Sequence, residues 1–141
     1  MVKSIYVLML LLSSSSTCAS TDDRTGGNVF TIYYFPLDAE TLTPVTTQNI
    51  ESRGGRCFVR AENDVNRIKK IVASANRVKI QKHSFSDKRV RVKIVESKKG
   101  AETVISIESD GVVKQGDVIR MLSQEALGEL KMLVEHFCRG V

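Results

Sequence analysis

Between Arg77 and Met121 the chain is patterned with a period of two, and that pattern decides which architectures are open to it. Arg77-Val78-Lys79-Ile80-Gln81 alternates polar with apolar residues, and Arg89-Val90-Arg91-Val92-Lys93-Ile94 does the same. Side chains two apart share a face of a strand, so each run predicts a sheet with one apolar and one polar side. Ser97-Lys98-Lys99-Gly100 reads as a turn into a third strand, Glu102 to Glu108. Asp110-Gly111 and Gly116-Asp117 bound two more, Val112 to Gln115 and Val118 to Met121. With Glu96 set opposite Ala101, Val92 faces Ile105 and Val90 faces Ile107 on the buried side, and Arg89 faces Glu108 on the other.

The flanks supply the rest of the core. Val29 to Phe35 is β-branched or aromatic throughout and stops at Pro36, which predicts a strand. Hydroxyl caps at Thr43, Thr46 and Thr47 precede a short helical turn, Gln48 to Arg53, ended by Gly54-Gly55. Cys57 to Arg60 is a short strand with Cys57 and Val59 on one face. Val65, Ile68, Ile71, Val72 and Ala75 recur at helical spacing and predict a helix over Asp64 to Ala75, capped by Asn63. Ser123 caps a last helix striped by Leu127, Leu130, Val134 and Cys138, with Gly128 weakening it by ~1 kcal/mol. Together these predict an α+β fold, an antiparallel sheet of about five to six strands covered on one face by two helices.

The first 20 residues read as an export signal. Lys3 precedes an apolar run of 8 residues, Ile5 to Leu12, followed by small and polar residues through Ser20. That run is far shorter than the roughly 20 residues of a membrane-spanning helix. Two cuts are open: one just before Cys18, leaving Cys18 as the site of lipidation in the manner of a bacterial lipoprotein, or an ordinary cut after Ala19 or Ser20. The expected organisation is then signal peptide 1–20, flexible tether 21–27 and one globular domain over 28–141. Localisation to the periplasm or cell envelope follows, with a membrane reached only through a lipid anchor. In such an oxidising compartment Cys57 and Cys138 are expected to form a disulfide. The alternative, Cys57 as a nucleophile beside His136, needs a free thiol of lowered pKa.

Charge is unevenly distributed. Between Arg67 and Lys99 there are 12 Lys or Arg against two acids, Asp87 and Glu96. If the valines and isoleucines of that region point inward, Arg77, Lys79, Arg89, Arg91 and Lys93 point outward and form a basic sheet face. Such a face either keeps a sheet wet and guards its edges or docks an anionic partner. The anionic partners it suits are an acidic protein, a lipid headgroup or an acidic polysaccharide. Nucleic acid is disfavoured by export and by the lack of interleaved aromatics, Phe85 being the only one there.

Catalytic and cofactor patterns are missing from the sequence. The two histidines, His83 and His136, have no metal-ligand spacing, and neither a Gly-flanked serine nor a phosphate-cradling glycine loop occurs. No cofactor and no metal is expected. The expected function is a non-enzymatic, exported binding protein, of the inhibitor or immunity type, that docks an acidic partner by its basic face. The alternatives are an envelope structural or accessory protein resting on anionic lipid or polysaccharide, and a small cell-wall hydrolase with scattered carboxylates.

Overall fold

Ten elements follow one another in a computed structural model that describes residues 29–77 and 84–139. They are β1 (Val29–Tyr34), α1 (Ile50–Arg53), β2 (Gly55–Val59), α2 (Glu62–Ala73), β3 (Asn76–Arg77), β4 (Val90–Lys98), β5 (Ala101–Glu108), β6 (Val112–Gln115), β7 (Val118–Met121) and α3 (Gln124–Cys138). The seven strands make one antiparallel sheet in the order β2-β1-β4-β5-β6-β7-β3, so the fold is α+β with slightly more strands than the sequence predicts. At the far edge β3, which meets the start of the predicted Arg77–Gln81 strand, is two residues paired to β7. The remainder of the Arg77–Gln81 run, including Lys79, lies outside the described residues, as do the leader with Cys18, the tether and His83.

Helices α2 and α3 cover one face. Their apolar stripes (Val65, Ile68, Ile71 and Val72; Leu130, Leu133, Val134 and Cys138) bury against Phe30, Ile32, Val92, Ile94, Ile105 and Ile107. Fully burying each such side chain stabilises by about 1.5–3 kcal/mol. Ser123 Oγ accepts the Ala126 N–H at 3.1 Å and so caps α3 as its hydroxyl predicts. For α2 the cap is Ala61 rather than Asn63, and Glu62 and Asp64 in the first turn favour the positive end of the helix dipole.

Register differs from the predicted one for two physical reasons. Lys99 (φ 50°) and Gly100 (φ 81°) are both left-handed, a two-residue loop that matches strand twist and extends both strands to Lys98 and Ala101. Val92 therefore faces Ile107 and Ile94 faces Ile105. A slip of two keeps each residue on its predicted face. Nearer the start of β4 a bulge intervenes: Val90 pairs with Glu108, Val92 with Ile107, and Arg91 is the extra residue. Val90 consequently turns away from the helices.

That second face is itself partly roofed. The segment from Phe35 to Asn49 and helix α1 fold over it, and Val45, Ile50 and Val90 form a small fully buried cluster with Tyr33, Phe35 and Phe85 around it. Thr46 Oγ1 accepts from Asn49 N, and Asn49 Oδ1 accepts from Thr46 N, a reciprocal box that holds the turn into α1.

Candidate binding surface

The strand β2 is where sequence and fold combine to expose chemistry. In Gly55-Arg56-Cys57-Phe58-Val59, Cys57 and Val59 point to the helices and are buried, which forces Arg56 and Phe58 to the other face, and Arg60 continues the alternation. Phe58 is 51% exposed, unusual for so large an apolar side chain. The Arg56 guanidinium sits 4.6 Å from the Phe58 ring centroid and 5.6 Å from that of Tyr33, with Arg60 5.9 Å from Phe58. Neither Arg56 nor Arg60 forms an ion pair with any described residue. In the next columns of the same face, Phe58 pairs with Thr31, Thr31 with Val95, and Val95 with Val104, which is 37% exposed. The result is an apolar row across four strands, with arginines at its β2 end.

Two features set where this strand lies. Cys57 is brought against Cys138 at the end of α3, with Cα atoms 5.3 Å apart, a placement that fits the disulfide expected from the sequence. Gly54 is the second. A Cβ there would lie 2.4 Å from the Tyr34 carbonyl oxygen, so glycine is required by close approach; its backbone is extended (φ −96°) rather than left-handed.

Of the five residues expected to form one basic face, the four that are described are not gathered on one surface. Arg77 pairs with Arg120 at the opposite edge of the sheet and, by the pairing of Arg120 with Val113, lies on the helix-covered side. Arg91, displaced by the bulge, is only 8% exposed; its Nη atoms donate to the carbonyls of Val90 and Ala39, and it lies over Phe35 at 5.8 Å. Lys93 is roofed by α1 and bonds Glu51 at 2.5 Å and the Thr47 carbonyl at 3.2 Å. Arg89 is half-exposed and divided between Glu108 (3.2 Å) and Asp110 (3.3 Å). Lys79 lies outside the described residues. For Arg91 and Lys93 the cause is a bulge and a roof that single-strand alternation does not reveal.

Glu108 was expected to be an outward partner of Arg89; it is fully buried while still reaching that arginine. It accepts the Ser86 N–H, which ties the 84–89 segment to the sheet. Loss of water around the carboxyl pushes its pKa up to about 7; the Ser86 N–H and the Arg89 charge pull the other way, and Asp110 adds to the rise.

Beside it, Thr47, Gln48, Phe85, Asp87, Ser106 and Lys114 line an open cleft of about 430 Å³. Asp87 Oδ1 accepts from Thr47 N (3.0 Å) and Thr47 Oγ1 (2.5 Å), and Thr47 Oγ1 lies 3.1 Å from Ser106 Oγ. Asp87 is the base that Thr47 Oγ1 meets, and no imidazole or amine of the described residues hydrogen-bonds either hydroxyl. This set fastens three segments together. His136 is exposed, packed edge-on to Phe137. Among the described residues no group of three or more His, Cys, Asp or Glu is placed to hold a metal, and no helix is long and apolar enough to cross a membrane.

Arg56, Phe58 and Arg60 were legible as the outward half of a strand whose inward half is Cys57 and Val59, but the charge count points to 67–99 instead. Comparison with protein-family models, curated proteins and solved structures yields no match to this chain.

Proposed function

We propose that this protein works by binding, without catalysis, and that it captures an acidic partner protein on the surface formed by Arg56, Phe58 and Arg60. The observation that carries this is a pair of arginines with no ion-pair partner among the described residues, flanking a half-exposed phenylalanine on a strand bridged to α3. Aromatic and arginine side chains are the groups that concentrate binding energy in protein interfaces. Already packed on one another before contact, they lose less freedom on docking. The leader-like first 20 residues and the bridged cysteines support an exported, inhibitor-like or immunity-like role in the cell envelope, acting by occlusion of the partner's surface.

The basic face of Arg89, Arg91 and Lys93 gives way in this reading, because those cations already have acceptors inside the protein. Acidic protein is favoured over nucleic acid because the Arg56 guanidinium already lies over the Phe58 ring, at 4.6 Å, where a base would stack.

The test is binding of fluorescent polyglutamate, heparin, anionic vesicles and oligothymidylate to the wild type and to Arg56→Glu/Arg60→Glu. Salt-weakened binding to polyglutamate, lowered about tenfold or more by the reversal and little by Arg89→Glu, is expected. Equal polyglutamate binding by wild type and the double variant would refute the site. Preference for vesicles, heparin or oligothymidylate would replace the partner class.

A further inference from the structure

Resting on that reading, we infer that the partner presents an extended acidic segment that adds to the sheet as a new strand along the free side of β2. β2 is the terminal strand and pairs only with β1, so one side of its backbone carries N–H and C=O groups with no strand beside them among the described residues. Such an edge is a template for an incoming chain, with main-chain hydrogen bonds giving affinity and alternate side chains giving specificity. Arg56, Phe58 and Arg60 recur every second residue, about 7 Å apart, which is the spacing of alternate side chains on an added strand. The matching sequence carries an acid, an apolar residue and an acid at successive alternate positions (Glu-x-Val-x-Glu), so that the acids face the two arginines and the apolar residue faces Phe58.

Among the described residues the opposite edge does not offer this. β3 is two residues long, and its Arg77 lies across from Arg120 with no aromatic between. A second copy of the chain is a poor occupant too. Antiparallel pairing of two β2 strands about Phe58 sets Arg56 against the copy's Arg60, and in-register parallel pairing sets like against like. The charge on this edge therefore selects a foreign, acidic strand and discourages self-pairing.

The experiment uses the full chain and synthetic peptides of about eight residues built around Glu-Thr-Val-Thr-Glu, which puts Glu, Val and Glu on one face of a strand, with affinity read by fluorescence anisotropy. In a strand, successive backbone N–H groups point to opposite sides, so N-methylation of every second residue blocks one side only. Two peptides methylated in opposite phase are compared with the parent. Strand addition predicts about a tenfold or greater loss for one phase and little change for the other, together with loss of parent binding in Arg56→Glu/Arg60→Glu. Equal effects of the two phases overturn strand addition while leaving the surface reading intact if the arginine reversal still abolishes binding. Parent binding unaffected by the reversal overturns both. Failure of the parent peptide to bind, or a self-associated protein in sedimentation whose association is weakened by the same reversal, overturns strand addition alone, because polyglutamate tests the surface independently.

Discussion

Replacing Glu108 with Gln should remove most of the pH dependence of stability that this protein shows between about pH 4.5 and 7. Glu108 is fully buried, and its carboxyl is raised from 4.5 to about 7 because burial disfavours the anion. The folded state therefore holds this proton more tightly than the unfolded chain does. Its contribution is fully present below pH 4.5 and is lost as pH rises through about 7. At 1.36 kcal/mol per pKa unit that rise corresponds to about 3 kcal/mol. Gln keeps the size and the acceptor for the Ser86 N–H but carries no charge, and the Arg89 contact it loses is half-exposed and worth little. Urea unfolding of wild type and Glu108→Gln across pH 4 to 8.5 reads the difference. The variant should match wild type near pH 4 and exceed it by about 3 kcal/mol near pH 8. Parallel stability curves for the two proteins would refute the claim that this carboxyl is buried against its charge.

Three further outcomes follow from local geometry. Cys57→Ala/Cys138→Ala opens a crosslink spanning 81 residues and should lower stability by about 2–5 kcal/mol, and reductant should shift the wild-type urea midpoint but not the variant's. Gly54→Ala, with its new Cβ 2.4 Å from a backbone oxygen, should cost about 1–3 kcal/mol in the same assay, whereas Gly128→Ala, open to solvent in α3, should stabilise by about 1 kcal/mol. Lys99→Asn should raise stability by about 0.5 kcal/mol, because asparagine tolerates the left-handed conformation better than lysine.

Much of the sheet and both long helices could be read from periodicity alone, because the helix-facing residues of β4 and β5 and the stripes of α2 and α3 recur at the spacing of their elements. β6, β7 and the Ser123 cap fall where the sequence places them. What periodicity could not show is the cover on the second face. Val45 and Ile50 belong to no repeating pattern, yet they bury Val90 and bring Glu51 onto Lys93. Nor does alternation reveal the bulge at Arg91, since the run Arg89 to Ile94 looks continuous until its partner strand is known. Those two events took up Lys93 and Arg91, and acids beside β4 took up Arg89. The β2 surface was visible in the residues themselves, but its exposure depends on β2 ending the sheet, a matter of strand order that a single sequence does not carry.

The most direct test of the central claim is amide hydrogen exchange on the full chain with and without bound acidic partner, resolved to β2 and to β4. Recognition through Arg56, Phe58 and Arg60 predicts that binding slows exchange across Gly55–Val59 and leaves Val90 to Lys93 unchanged. Protection confined to Val90 to Lys93, with β2 exchanging as in the free protein, would contradict it.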